Sequence, residues 1–166
     1  MIFRSKAPLR IGLAGGGTDV SPYCDLYGGA ILNTTISHAA YASIETLDAN
    51  KIIVETLDRK EKQEFSWDTI LPIDGELNLL KGVYNRIQKD YGIKKCGIRL
   101  STFVDAPAGS GLGTSSTLVV AILGAFIEML RLPFSQYDAA HYAYDIERNN
   151  LQLAGGRQDQ YAATFG

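Results

Sequence analysis

The amino-acid sequence predicts an α+β fold, a two-layer α/β arrangement in which helices pack against a mixed or antiparallel sheet. Residues 2–67 contain extended segments rich in β-branched side chains, whereas from Leu79 onward apolar residues recur at helical spacing. A loop rich in proline, glycine and serine at 105–113 then leads directly into a long apolar segment. Strands first, followed by alternating helices and strands, are typical of this fold class.

The amino-terminal segment is predicted to be extended up to a glycine-rich turn. Residues 2–14 mix apolar and basic side chains, and the turn at 15–19 has the sequence G-G-G-T-D. Consecutive glycines cost backbone entropy on folding, so such runs mark positive φ angles or close backbone approach. A short helix is expected next, with Asp19 or Ser21 as its cap and Pro22 at its first position.

Runs of β-branched residues predict the strands, and a change of period predicts the helices. Consecutive antiparallel strands are expected at 30–35, 40–47 and 51–56, and further strands at 62–67 and 97–103. Apolar residues at helical spacing predict helices at 79–91, 114–130 and 135–149. The pattern shows neither an internal repeat nor a linker, so we expect one domain.

Composition and charge limit the class of protein. The chain has 166 residues, of which 46% are hydrophobic and 20% charged, enough for one domain with a core. The formal net charge of −2, without a long basic run, argues against DNA, RNA or an acidic membrane as a partner.

Two further features predict a cytoplasmic protein. Cys24 and Cys96 lack metal-ligand spacing, and a reduced state is favoured over a single disulfide. The first residues contain no apolar core of signal-peptide length, and the apolar run at 118–130 is too short to span a bilayer. We therefore expect no membrane attachment.

The most informative segment is the loop at 107–116, P-A-G-S-G-L-G-T-S-S. Glycines at alternate positions let successive backbone N–H groups face one concavity, and the amino terminus of the following helix favours an anion. The sequence is neither a Walker loop, because no lysine follows the last glycine, nor the Rossmann pattern. A phosphate site is predicted, with a capped strand-to-helix turn as the structural alternative.

Three separated segments resemble the motifs of the GHMP kinases, the family of galactokinase, homoserine kinase, mevalonate kinase and phosphomevalonate kinase. The loop resembles their P-x-x-x-G-L-G-S-S motif, with Thr114 in place of the first serine. Residues 6–19 resemble their first motif, and G-G-R-Q-D-Q at 155–160 resembles their aspartate segment. The turn and the tail most resemble the bacterial D-glycero-D-manno-heptose 7-phosphate kinases, followed by the fucose-kinase branch.

The resemblance implies a fold and a domain organisation. Residues 1–166 would form the amino-terminal ATP-binding domain of such a kinase, similar to ribosomal protein S5 domain 2. The family's carboxy-terminal domain, with its third glycine-rich motif, would be absent, and the apolar ending at 162–166 fits a fragment. An isolated half would expose an apolar face, so self-association into a homo-oligomer is a further expectation.

The resemblance also implies ATP and Mg²⁺ as cofactors. Ser115 matches the family serine that coordinates Mg²⁺, with simple helix capping as the alternative, and Glu147 matches the glutamate ligand of the same metal. The residues expected to hold the nucleotide phosphates are Pro107, Gly109, Ser110, Gly111, Leu112, Gly113, Thr114, Ser115 and Ser116.

Two residues match the catalytic pair of the family. Asp159 corresponds to the aspartate proposed as general base for the acceptor hydroxyl, and Arg10 to the cation that pairs with it. A cation there would stabilise the carboxylate and the transferring charge. A purely structural ion pair between the first strand and the last element is the alternative.

The acceptor is expected at the glycine turn. Asp19 matches the aspartate that hydrogen-bonds sugar hydroxyls in galactokinase-like enzymes, beside Thr18. Gly16 and Gly17 replace the Glu and His of galactokinases, which argues against galactose and leaves room for a bulkier acceptor. An acceptor phosphate would then be bound by Lys6 and Arg157.

The leading hypothesis is a kinase that phosphorylates the anomeric hydroxyl of D-glycero-D-manno-heptose 7-phosphate. A fucose or other hexose kinase is the alternative within the family. A non-catalytic ATP- and sugar-binding protein, or an inactive fragment, is the alternative from another class. The four expected residues are all present, which favours a catalytic protein over the non-catalytic one: Arg10, Ser115, Glu147 and Asp159.

Overall fold

A computed structural model describes residues 1–67, 69–93 and 96–166. The strands are β1 (Ile2–Ala14), β2 (Leu32–Leu47), β3 (Lys51–Thr56), β4 (Glu61–Ser66) and β5 (Gly97–Val104). The helices are α1 (Tyr23–Tyr27), α2 (Asn78–Tyr91), α3 (Thr114–Leu130), α4 (Gln136–Asp145) and α5 (Gln158–Phe165). A π-helical turn, Ile146–Asn150, continues α4.

The strands form one mixed sheet in the order β1-β2-β5-β3-β4. β5 pairs antiparallel with β2 and parallel with β3, whereas β3 and β4 form an antiparallel hairpin. The helices α3 and α5 pack on β1 and β2. The predicted α+β class, with helices on a mixed sheet, is confirmed.

The expected run of consecutive antiparallel strands is wrong in two respects. Segment 40–47 and residues 32–35 of the segment 30–35 belong to one strand, β2, which stays paired with β1 through a register shift between Pro8 and Arg10. β3 does not pair with β2, because β5 lies between them. β5 is largely buried, and its apolar residues occupy the centre of the sheet, where burial is greatest.

The main core lies between the sheet and α3. Val119, Ile122 and Phe126 of α3 are fully buried and belong to one cluster with Ile44 and Leu100 of the sheet. The predicted helix at 114–130 matches α3 residue for residue. This burial anchors the helix, so its amino terminus is held at the end of the glycine-rich loop.

The predicted helix at 135–149 is confirmed as α4 followed by the π-helical turn. Ser135 accepts from the backbone N–H of Asp138, whose carboxylate accepts from the backbone N–H of Ser135, a capping box that starts α4. The π-helical turn ends the helix and carries Glu147, which is buried. Among the described residues, no helix is long and apolar enough to cross a membrane.

Candidate active site

Arg10 of β1 and Asp159 of α5 form an ion pair at the centre of the site. The Nη2 and Nε atoms of Arg10 lie 2.5 and 2.7 Å from the same carboxylate oxygen, Oδ1 of Asp159. Within the described part of the chain, Oδ2 of Asp159 accepts no hydrogen bond. One oxygen is thus held by the cation, and the other is available to accept a proton.

The same arginine also binds the glycine-rich loop. Its Nη1 donates to the carbonyl oxygen of Gly111 at 2.7 Å, and its backbone N–H donates to the carbonyl of Leu112 at 3.2 Å. A β-carbon added to Gly113 would lie 3.3 Å from Cγ of Asp159 and 3.4 Å from Nε of Arg10. The loop and the carboxylate therefore meet at Arg10.

The loop has the backbone geometry that the alternating glycines predict. Gly109, Gly111 and Gly113 all have φ between 74° and 78°, in the left-handed region that side chains disfavour. Gly113 is the N-cap of α3 and supplies no side-chain acceptor for the first N–H groups of the helix. These N–H groups and the positive end of the helix dipole remain available for an anion.

Glu147 lies in a buried hydrogen-bond network beside the start of α3. Its Oε1 accepts from Oγ of Ser116 at 3.0 Å, and its Oε2 accepts from the side-chain amide of Gln160. The same amide donates to Oγ of Ser116 at 3.1 Å. Burial raises the pKa of Glu147 above its ordinary value, and these hydrogen bonds oppose the shift.

These groups share a cavity of about 410 Å³. Its lining includes Ser115, Ser116, Glu147, Asp159 and the glycines of the segment before α5. Ser115 is exposed and Ser116 is buried, so the two neighbouring hydroxyls face different surroundings. Of these two serines, Ser116 is the one that donates a hydrogen bond to Glu147, while Ser115 borders the same cavity.

The side-chain oxygen atoms that line this cavity are of the kind that would hold a magnesium ion arriving with a nucleotide. Among the described residues, no group of three histidine, cysteine or acidic side chains is arranged to hold a metal by itself. Mg²⁺ commonly takes one or two protein oxygens and completes its shell with phosphate oxygens and water. Glu147 with Ser115 provides such a pair of oxygens beside the helix amino terminus.

A small recess lined by both apolar and polar residues adjoins the loop. Leu79, Val104 and Leu118 line it together with Thr114 and Ser115, and its volume is about 80 Å³.

The side chains of Thr18 and Asp19, the two polar residues of the glycine turn, both form hydrogen bonds with the protein backbone. Thr18 uses its hydroxyl inside the turn, where it donates to the carbonyl of Gly15 at 2.7 Å and accepts from the N–H of Ala30 at 3.1 Å. Neither Asp19 nor Ser21 caps α1, whose first turn has no side-chain cap from its N-cap Pro22. Oδ2 of Asp19 accepts instead from the backbone N–H groups at the start of α5.

The expected open space at the turn is present. A β-carbon added to Gly16 or to Gly17 would meet no atom within 4 Å. A second cavity of about 450 Å³ lies nearby, lined by Asp19, Arg157, Gln158, Tyr161, Gly29, Ile31 and Asn33. This cavity adjoins the helix that carries Asp159.

The two cations predicted for an acceptor phosphate lie in different places. The guanidinium of Arg157 borders the second cavity and lies 5.2 Å from the ring centroid of Tyr144, without an ion pair in the described part of the chain. Lys6 lies over the ring of Tyr41, its cross-strand partner, at 5.6 Å. Since the adjacent Ala7 is buried in the core, Lys6 points to the opposite face of the sheet, away from Arg157.

The sequence pattern did not identify Gln160 and Arg148. Gln160 is fully buried and holds Glu147, whereas Arg148 donates to the carbonyls of Leu153 and Gly156, both at 3.0 Å. The helix α5, which carries Gln160, was also not predicted, because its apolar residues show weak helical periodicity. A polar glutamine next to the motif aspartate, in an otherwise apolar segment, is the sequence signal that could have identified Gln160.

Known proteins resemble this chain along nearly its whole length. A D-glycero-α-D-manno-heptose 7-phosphate kinase of Campylobacter jejuni is 48% identical over 98% of the chain. An L-fucokinase/L-fucose-1-P guanylyltransferase of Bacteroides fragilis is 31% identical over 96% of the chain and 19% of its own length. The chain spans about half of the Campylobacter protein, 48% of its length.

Fold similarity agrees with sequence similarity. The crystal structure of a D-glycero-D-manno-heptose 1-phosphate kinase from Bacteroides thetaiotaomicron matches with a TM-score of 0.94 and 55% identity. The match covers 100% of this chain and 54% of that one. The family model of the GHMP kinases N terminal domain matches residues 78–166, which include the glycine-rich loop, Glu147 and Asp159. The chain therefore belongs to the GHMP kinase family.

Proposed function

We propose that this chain is the nucleotide-binding part of an ATP-dependent sugar kinase that phosphorylates the anomeric hydroxyl of D-glycero-D-manno-heptose 7-phosphate. The observation that carries the proposal is the carboxylate of Asp159, held through one oxygen by Arg10 beside the glycine-rich loop. The similarity to two heptose phosphate kinases supports this acceptor. We also propose that the protein is located in the cytoplasm, where ATP is available.

In the proposed reaction the acceptor hydroxyl attacks the γ-phosphorus of ATP. Its proton passes to Oδ2 of Asp159, the new O–P bond forms, and the bond to the β-phosphate breaks to release ADP. The free N–H groups of the loop and of the start of α3 would hold the phosphates, and Arg10 would keep the carboxylate in place. A bound Mg²⁺, held by Glu147 and Ser115, would neutralise phosphate charge.

The acceptor would occupy the cavity beside Asp19 and Arg157. The unpaired guanidinium of Arg157 suits the 7-phosphate, and the space beside Gly16 and Gly17 suits a seven-carbon sugar. Lys6 has no role in the proposed acceptor site, because it lies on the opposite face of the sheet.

A fucose or hexose kinase is the second candidate. The 31% identity to the fucokinase of Bacteroides fragilis favours it over other members of the family. A fucose acceptor carries no phosphate, so it would leave Arg157 without a ligand.

An ATP-consumption assay with heptose 7-phosphate, fucose, galactose and mevalonate tests the proposal. It should be run on this chain and on any longer protein that contains it. We expect turnover with heptose 7-phosphate and a loss of about 100-fold or more in kcat for Asp159→Asn with folding intact. Turnover with fucose alone would support the second candidate. Binding of ATP without turnover on any sugar would support the non-catalytic protein.

A further inference from the structure

The carboxylate of Asp19 is bound to the start of the helix α5. Its Oδ2 accepts from the backbone N–H of Arg157 at 2.6 Å and from that of Gln158 at 2.9 Å. Arg157 is the N-cap of α5, and its own side chain makes no capping hydrogen bond. Asp19, 139 residues before Gln158 in the chain, thus satisfies N–H groups that the helix would otherwise leave unpaired.

The neighbouring backbone encloses this carboxylate. A β-carbon added to Gly156 would lie 2.1 Å from Oδ2 and 2.3 Å from Oδ1 of Asp19. Oδ1 is buried and has no hydrogen-bond partner within the described residues. In this arrangement Oδ1 is closed to a sugar hydroxyl, because the atom is buried.

We propose that Asp19 is a positioning residue that fixes the start of α5, and through it Asp159, rather than a direct ligand of the sugar. The inference rests on the proposed function, in which Asp159 accepts the proton of the acceptor. Asp159 is the second residue of α5. If the start of α5 frayed, the carboxylate of Asp159 would move relative to Arg10 and to the loop.

The two possible roles of Asp19, direct ligand of the sugar and positioning residue, predict different kinetics. Substitution of a residue that binds the sugar directly raises the KM for the acceptor and need not alter the helix. A positioning residue that is removed lowers kcat, because small displacements of a catalytic group are costly, and leaves the KM for the acceptor nearly unchanged. Asn is as good a helix cap as Asp, so Asp19→Asn should keep the positioning function.

The test combines hydrogen exchange with kinetics on wild type, Asp19→Ala, Asp19→Asn and Gly156→Ala. In this chain we expect amide exchange at 157–160 to become about five-fold faster or more in Asp19→Ala, and to be near wild type in Asp19→Asn. Gly156→Ala should resemble Asp19→Ala, because its methyl group collides with the carboxylate. Gly16→Ala is the matched exchange control, since its β-carbon meets no atom within 4 Å.

In a protein that turns over heptose 7-phosphate, kcat should fall about ten-fold or more in Asp19→Ala and recover in Asp19→Asn. Unchanged exchange at 157–160 in Asp19→Ala would overturn the inference, as would a loss confined to the acceptor KM. Exchange does not depend on activity. Faster exchange in a protein without kinase activity would therefore contradict the proposed function while supporting the link between Asp19 and α5.

Discussion

Arg10 and Asp159 lie 149 residues apart in the chain, yet both donor nitrogens, Nη2 and Nε, bind the same oxygen of the carboxylate. The third contact of this guanidinium, from Nη1 to the carbonyl of Gly111, connects the pair to the glycine-rich loop. One planar side chain thus holds the carboxylate and the loop, two groups that the proposed reaction uses together. A planar guanidinium holds several acceptors in fixed directions, which an ammonium does not.

We therefore expect Arg10→Lys to impair catalysis although it keeps the charge. A lysine ammonium cannot bind Asp159 and the Gly111 carbonyl with the same geometry, so kcat should fall about ten-fold or more and the KM for ATP should rise. Steady-state kinetics, with circular dichroism to confirm folding, are the measurement. Arg131→Lys, at the exposed end of α3, is the control. Kinetics of Arg10→Lys equal to wild type would show that charge alone suffices.

Gln160 should be needed both for stability and for binding the cation. Gln160→Ala leaves the buried carboxylate of Glu147 without one of its donors, which should lower the free energy of unfolding by about 1–3 kcal/mol. Weaker orientation of Glu147 should also reduce affinity for Mn²⁺, used as a probe for Mg²⁺ in the presence of nucleotide, by about ten-fold.

Chemical denaturation and titration calorimetry measure the two effects of Gln160→Ala. Gln136→Ala is a matched control, because Gln136 is exposed and its amide only donates to the carbonyl of Thr164 at 3.3 Å. The control should change stability by less than about 0.5 kcal/mol. If both variants behave alike, the network around Glu147 has no special role.

Gly111→Ala should damage the loop through its backbone alone. The φ of Gly111 is 75°, while its added β-carbon would meet no atom within 4 Å, so a left-handed conformation costs about 1–2 kcal/mol without a steric clash. We expect that loss in the free energy of unfolding and a higher KM for ATP. Gly16→Ala, at ordinary φ and in open space, should be nearly neutral for stability. Equal destabilisation of the two variants would refute this explanation.

The pair of Asp74 and Lys81 should make stability depend on pH. Lys81 is fully buried, and its Nζ lies 2.5 Å from Oδ1 of Asp74. The hydrogen bond from Lys81 lowers the pKa of Asp74 below its ordinary value of 3.8. The stabilisation is therefore present above that value and is lost as the pH falls through the lowered pKa.

Thermal unfolding of wild type and Asp74→Asn at several pH values measures this contribution. Wild type should unfold at a higher temperature at about pH 6, and the difference should shrink towards pH 3 and below. A difference that is constant over this range would assign the effect to something other than the ionised carboxylate.

Periodicity and glycine placement were sufficient for much of the fold. The helix α3, the start of α4 at Ser135 and the left-handed glycines at 109, 111 and 113 are local features, and a local pattern predicts them well. The order of the strands is not local. Nothing in the residues of β3 specifies β5 as its neighbour, because that choice depends on which strand gains most from burial at the centre.

Residue type alone identifies several parts of the site: a loop of alternating glycines before an apolar helix, a motif aspartate at 159, an arginine at 10 and glycines in place of bulkier side chains at 16 and 17. The partners of these residues depend on the tertiary structure. It joined Arg10 to Asp159 and to the loop, placed Ser116 and Gln160 on Glu147, put Lys6 on the other face of the sheet, and bound Asp19 to the start of α5. The reason is physical: a hydrogen bond depends on distance and direction in space, and residues far apart in the chain acquire both only when the sheet and helices pack.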